Sequence, residues 1–227
     1  MRGARYGRDV KTLRQARAEF IAKRSPKLIV LGIVATLAVR VAVGGPLAWR
    51  DAVAAAAMLV VYPFGEWAIH VYLLHLKPFA FRGERVELAT ARAHREHHEQ
   101  PNDLFMILLA PSEAVALMFL AVPLVPALAG VVIALAGGEV PYGALLTGVL
   151  TGQVLVAIYE WTHFLIHTAY RPRSRYYRSI WRNHRLHHFK NEHYWHGITN
   201  TLADSALGTL KDQREVPRSR TARTLTP

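Results

Sequence analysis

From Tyr142 to Tyr170 the sequence reads YGALLTGVLTGQVLVAIYEWTHFLIHTAY. Its first part, uncharged as far as Tyr159, has the length that a bilayer crossing needs, about 17 to 25 residues. The run then closes on Glu160, His163 and His167, three polar side chains where a span would end. A second stretch repeats the pattern: Ala52 to Leu76 is apolar at first and carries Glu66, His70 and His75 in its last turns. Two further runs lack the polar ending. Lys27 to Gly44 is a crossing with Arg40 near enough to its far end to snorkel. Leu104 to Ala136 is broken by Pro111, Pro123 and Pro126, and its length fits either one kinked span or a span with a re-entrant piece. The expected fold is therefore all-α, an integral-membrane bundle of about four transmembrane helices with a cytoplasmic helical cap. Its parts are a basic arm over residues 1–27, a membrane-embedded domain over 28–210 and a basic tail over 211–227.

Composition agrees with that reading. The chain has 227 residues, 52% of them hydrophobic and 19% charged, with a formal charge of +12 and no cysteine. A disulfide scaffold, an iron-sulfur cluster, thiolate-bound zinc and a cysteine nucleophile are excluded. The arm, the loop from Lys77 to Asp103 and the tail from Arg171 onward hold 26 of the 28 Lys and Arg. By the positive-inside rule both termini are expected in the cytoplasm. The basic excess then reads as topology plus attraction to anionic headgroups, and nucleic acid is not an expected partner. A composition rich in Ala and Arg points to a bacterial inner membrane.

Ten of the twelve histidines fall into four groups. His70 and His75 close one apolar run, and His163 and His167 close another. His94, His97 and His98 lie in the loop after the first pair, and His184, His187 and His188 in the segment after the second. Each half also opens on Glu-Trp, at Glu66-Trp67 and Glu160-Trp161, so the chain reads as a weak internal repeat of two hairpins, each supplying half of one site. On a helix, positions i, i+3 and i+4 share a face, so each His-x-x-His-His can aim three rings to one side. His70 and His75 break that rule, because five residues turn about 140° on an ideal helix. A π-bulge or a helix end is expected between them.

Neutral imidazole binds iron, zinc, copper or nickel, and ten rings are too many for one ion of four to six ligands, so two metals are implied. A lone histidine in an apolar helix is as often a satisfied structural residue; two such triplets beside two pairs are far harder to assign to composition. Glu66 and Glu160 are expected to face the bundle and accept a bond from a ligand imidazole, the alternative being a carboxylate wetted at the cytoplasmic opening. His193 and His196 can complete a coordination shell, orient a ligand or sit at the membrane interface with Tyr194 and Trp195. The non-ligand readings are preferred.

With these groups in order, the chain resembles the integral-membrane fatty acid hydroxylase and sterol desaturase superfamily, from about Pro63 to Thr209. The likeness is to the fatty acid 2-hydroxylase type through Asn191-Glu192, Gly197 and the stretch Leu202 to Thr209, with Asp204 as a further outer-shell candidate. The chain departs from the usual Trp-Asp pattern at Ala203. The resemblance implies two iron ions, with zinc able to replace them in a recombinant preparation, and dioxygen as co-substrate. Its ligand positions correspond to His70, His75, His94, His97, His98, His163, His167, His184, His187 and His188. It also implies a lipid substrate within the membrane, most simply a fatty acyl chain, and a separate electron donor of ferredoxin or cytochrome type with its reductase. A carotenoid hydroxylase or sterol desaturase of the same superfamily is the nearest alternative. A histidine-based metal transporter fits less well, because its site would lie at the bilayer midplane on broken helices. A zinc hydrolase would show His-Glu-x-x-His, a spacing that His94-Arg95-Glu96-His97 lacks.

Overall fold

A computed structural model describes residues 6–226. Helix dominates. In chain order, α1 is Leu13–Ala22, α2 Arg24–Val43, and α3 Trp49–Ala68, the last continuing into a π-helical turn at Ile69–Leu74. A hairpin of β1 (Phe79–Phe81) and β2 (Glu84–Val86) follows, and it is the only sheet among the described residues. Next come α4 (Ala89–Glu99), α5 (Pro111–Ala116), a second π turn at Leu117–Ala121, α6 (Val122–Leu135), α7 (Tyr142–Ile166), α8 (Arg175–Phe189) and α9 (Leu202–Ala206). The hairpin was not expected from the sequence; Arg82 and Gly83 take positive φ at its two-residue turn, as the tightest hairpins require.

Four helices are long and apolar enough to cross a membrane: Arg24–Val43, Trp49–Leu74, Pro111–Leu135 and Tyr142–Ile166. The choice left open for the Leu104 to Ala136 run thus falls to a single continuous span preceded by turns. Its π turn closes with Val122 N–H donating to the Leu117 carbonyl, directly before Pro123, which has no N–H to give.

The chain divides into two compact units. One comprises residues 21–62 and 109–160 and contains most of the four spans. Its core is small, built on Ile29, Ala114, Met118, Val122 and Val156. Only 17 to 28% of each span's most apolar window is buried, and Leu37, Leu59, Leu120, Val132 and Leu135 stand exposed. Water would penalise so much exposed apolar surface, whereas lipid does not. Glycines allow close approach: a Cβ at Gly143 would collide with the backbone of Gly44, and one at Gly152 would lie 2.6 Å from Val122 Cγ1.

Arg40 and Asp51, both buried in this unit, form an ion pair. Arg40, buried in α2, donates to Asp51 Oδ1 at 2.7 Å, to Thr147 Oγ1 at 3.0 Å and to the Gly45 carbonyl at 2.8 Å. Thr147 Oγ1 in turn donates to Asp51 Oδ1 at 2.6 Å. The arginine expected to snorkel is instead tied to the next helix, because a partner with a matching carboxylate lies within reach.

The other unit comprises the described residues to Phe20, 63–108 and 161–226. Val10, Ala16, Leu104, Ile107, Phe164 and Leu165 form its apolar core, with Phe20 edge-on to Trp161 at 5.1 Å. Gly7 lies flush against the chain at the end of α7, where a Cβ would collide with the His167 carbonyl; its own carbonyl accepts from Ala169 N–H at 2.8 Å. The cores of both units thus leave polar groups to be satisfied by bonds rather than by water. Replacing Asp51 by Ala strands a buried guanidinium. We expect a clear fall in melting temperature in detergent, larger than for Asp51→Asn; equal melting of all three proteins would show that the pair is not holding α2 to α3.

Candidate metal centre

All ten histidines of the four sequence groups lie in the unit built from residues to Phe20, 63–108 and 161–226. They form two sets. One ring nitrogen from each of His70, His75, His94, His98 and His187 lies within 4.8 Å of the others, and the same holds for His97, His163, His167, His184 and His188. The sets adjoin: the rings of His98 and His188 stack with centroids 4.0 Å apart.

This differs from the expectation that each triplet aims all three rings to one side. Neighbours on a helix point about 100° apart, whereas i and i+4 differ by only about 40°. His94 and His98 therefore share one set while His97 turns to the other, and on α8 His184 and His188 pair while His187 turns away. Each half of the repeat supplies four rings to one set and one ring to the set of its partner.

The His70–His75 spacing is resolved by the π turn. His75 N–H donates to the His70 carbonyl at 3.1 Å, an i to i+5 bond that closes one wide turn and brings the two ring centroids to 5.0 Å. His163 and His167, one ordinary turn apart, reach 4.9 Å without such a device.

Backbone carbonyls set the orientation of the first group. His70 Nδ1 lies 2.7 Å from the His196 carbonyl, His98 Nδ1 2.9 Å from that of Ala222, and His187 Nδ1 2.8 Å from that of Tyr194. A carbonyl only accepts, so each of these Nδ1 atoms carries the proton and each Nε2 carries a lone pair. The Nε2 atoms of His70, His75, His94, His98 and His187 are all buried and have no hydrogen-bond partner. In the second group, His184 Nε2 lies 3.0 Å from both His167 Nε2 and His188 Nε2. One in-plane site on a ring cannot serve two hydrogen bonds well, so three nitrogens gathered this way suit a shared cation.

Burial, reinforced by the neighbouring imidazoles, drives His94, His97, His167, His184, His187 and His188 well below the usual imidazole range. Burial also pushes His98 down, to about 4. These rings are neutral near pH 7, the form that binds a metal. An unpaired buried polar atom costs about 1 to 3 kcal/mol, so an array of orphaned lone pairs fits an ion and fits little else.

The outer-shell candidates bond largely to backbone and hydroxyl groups. Glu66 Oε1 accepts from Ile198 N–H at 2.5 Å and Thr199 N–H at 3.0 Å, and Oε2 accepts from Thr199 Oγ1 at 2.6 Å. Glu160 Oε1 accepts from Ser25 Oγ at 2.5 Å and Leu109 N–H at 3.1 Å. Glu160 joins the Ser25 hydroxyl of α2 to the Leu109 N–H, and Glu66 braces loop backbone. Asp204 does the same, accepting from His196 N–H at 3.0 Å, Gly197 N–H at 2.7 Å and Thr209 Oγ1 at 2.6 Å. It thereby fixes the loop whose His196 carbonyl holds His70. His196 is buried, with its ring centroid 5.2 Å from that of His187, while the side chain of His193 is 67% exposed. Trp195, expected at a membrane interface, is buried and donates to the Lys211 carbonyl at 2.9 Å. The carbonyls of Tyr194, His196 and Ala222 had no signal in the sequence, since a backbone acceptor leaves no mark on residue type. A cavity of about 260 Å³ borders His75, the one ring of the ten that is not fully buried, together with Trp67, Lys77 and Leu225.

Four helices long and apolar enough to cross a membrane, together with two adjoining all-histidine clusters that could each hold a metal ion, define the class of protein. The comparisons with known proteins narrow that class. The fatty acid hydroxylase family profile matches residues 55–209, and the chain belongs to that family. It is 28% identical over 155 residues to a dihydroceramide fatty acyl 2-hydroxylase of Arabidopsis thaliana, covering 67% of this chain and 60% of that protein. It is 28% identical over 160 residues to the fatty acid 2-hydroxylase of Mus musculus, covering 70% of this chain and 40% of that one. The chain thus spans less than two thirds of the length of either relative. Among solved structures it is similar in fold to full-length scs7p, in which only the hydroxylase domain is visible. There the TM-score is 0.63 at 20% identity, covering 86% of this chain and 68% of the other.

Glu66→Ala would orphan two buried N–H groups in the loop beside His196, each at about 1 to 3 kcal/mol. Glu66→Gln keeps an acceptor for both. We expect the first to lower the unfolding temperature in detergent and the second to stay near the parent; equal losses would make the charge, not the acceptor, the essential feature.

Proposed function

We propose that this protein is a membrane-bound oxygenase that hydroxylates a C–H bond of a lipid, with a fatty acyl chain as the substrate. The observation that carries this reading is the pair of adjoining five-histidine sets, buried and neutral, in a chain with four spanning helices. The names of its relatives, fatty acid and dihydroceramide fatty acyl 2-hydroxylases, support the lipid class. His70, His75, His94, His98 and His187 would hold one iron, and His97, His163, His167, His184 and His188 the other. Iron bound there would supply the reductive activation of dioxygen.

The overall change is R–H + O2 + 2 electrons + 2 protons → R–OH + H2O. The residues around the site hold His70, His98 and His187 in one tautomer, through the carbonyls of His196, Ala222 and Tyr194. The cavity beside His75 gives small co-reactants a way in. Electrons come from a separate donor, ferredoxin- or cytochrome-type with its reductase, and the net charge of +12 favours an acidic one. Both termini lie in the cytoplasm of a bacterium, with the spans in its inner membrane. The membrane-embedded domain over 28–210 is flanked by the basic arm over 1–27 and the basic tail over 211–227.

Mass spectrometry of lipids from cells with and without the protein tests the reading. The active chain should add one oxygen to an acyl chain, and His97→Ala, His98→Ala, His187→Ala and His188→Ala should each abolish the gain. A loss of two hydrogens would make the protein a desaturase; retained turnover in all four variants would contradict the site.

A further inference from the structure

The segment beyond the family match is wound against the histidine-bearing helices. Val216, Ala222 and Leu225 are buried. At the end of α8, Ser219 N–H donates to the Lys190 carbonyl at 2.8 Å, and Thr221 Oγ1 donates to Glu192 Oε1 at 2.5 Å. At the end of α4, Arg223 Nε donates to the His98 carbonyl at 2.9 Å, and its other arm reaches the Glu99 carbonyl. Those are carbonyls that a helix leaves without partners at its C-terminus, where a cation is favoured. Between the two anchors sits Ala222, whose carbonyl receives the proton of His98 Nδ1. Leu225, three residues on, forms part of the wall of the cavity at His75.

We propose that residues 216–226 act as a strap that positions the first histidine set, with the Ala222 carbonyl as the positioning group for His98. The inference rests on the reading that the two sets hold metal. Thr221 and Arg223 clamp Ala222 on either side, so its carbonyl is fixed relative to both helices. With that carbonyl in place His98 keeps its proton on Nδ1 and presents Nε2 inward; without it the ring can rotate or change tautomer, and the ion in that set loses a well-directed donor. In the second set, the carbonyls that His163 and His167 meet, those of Ile107 and Pro101, lie outside the strap. The role is thus selective for one of two neighbouring ions, which general stabilisation of the fold would not be.

The test loads the full-length chain with Zn2+, adds excess EDTA and follows zinc release. A chain with Thr221→Val and Arg223→Met should release one of its two ions about 10 to 100 times faster, the usual size of an outer-shell effect on a metal site, and the other at the parent rate. Arg223→Lys, which keeps a donor for the His98 carbonyl, should restore most of the slow release. A chain ending at Glu215 should show the same split. Unchanged release of both ions, or equal acceleration of both, would overturn the strap. A parent chain that takes up no pair of zinc ions would instead overturn the metal reading, and the strap with it.

Discussion

Ten imidazole lone pairs brought together in a dry interior are the constraint around which this molecule is arranged. Burial keeps His94 and His187 neutral, and in the first set every Nε2 lacks a protein partner. Left alone, that arrangement would cost free energy at each nitrogen. On the proposed reading, a pair of cations would reverse the sign and link folding to metal loading, and the helices deliver the rings to two adjacent points.

Several local features acquire a reason from that constraint. A π turn at Ile69–Leu74 lets a pair five residues apart act like a pair four apart. The 100° step between adjacent helical residues sends His97 and His98 to different sets, as it does His187 and His188. A single exchanged ring from each half interlocks the two repeats, so neither half completes a set alone. Glu66 and Asp204 hold the loop that carries the orienting carbonyl of His196, and Asp204 Oδ1 also lies 3.6 Å from His196 Nδ1. Orientation is thus delegated to backbone, which is rigid once its own hydrogen bonds are made.

Much of this was legible in the sequence. The four apolar runs, the positions of the histidine pairs and triplets, and the anomaly at His70 and His75 are visible because hydropathy, helical period and side-chain type are written residue by residue. The division of labour within each triplet was not drawn, although the angle between His97 and His98 contains it. The partners of Glu66 and Glu160 were beyond reach, since long-range bonds to backbone N–H groups have no compositional signature. The same holds for Ala222, whose side chain says nothing about what its carbonyl does, and for Trp195, where an aromatic beside a membrane protein's polar segment reads equally well as belt or core. The Pro111 to Leu135 helix needed coordinates because proline marks a possible break without saying whether a π turn absorbs it.

The most direct test of the central claim is X-ray absorption at the iron edge on the full-length chain reconstituted with iron. Two irons per chain, each surrounded predominantly by imidazole nitrogen and showing scattering from a second metal nearby, is the predicted result. A single iron per chain, or a first shell dominated by carboxylate oxygen with no neighbouring metal, would contradict it.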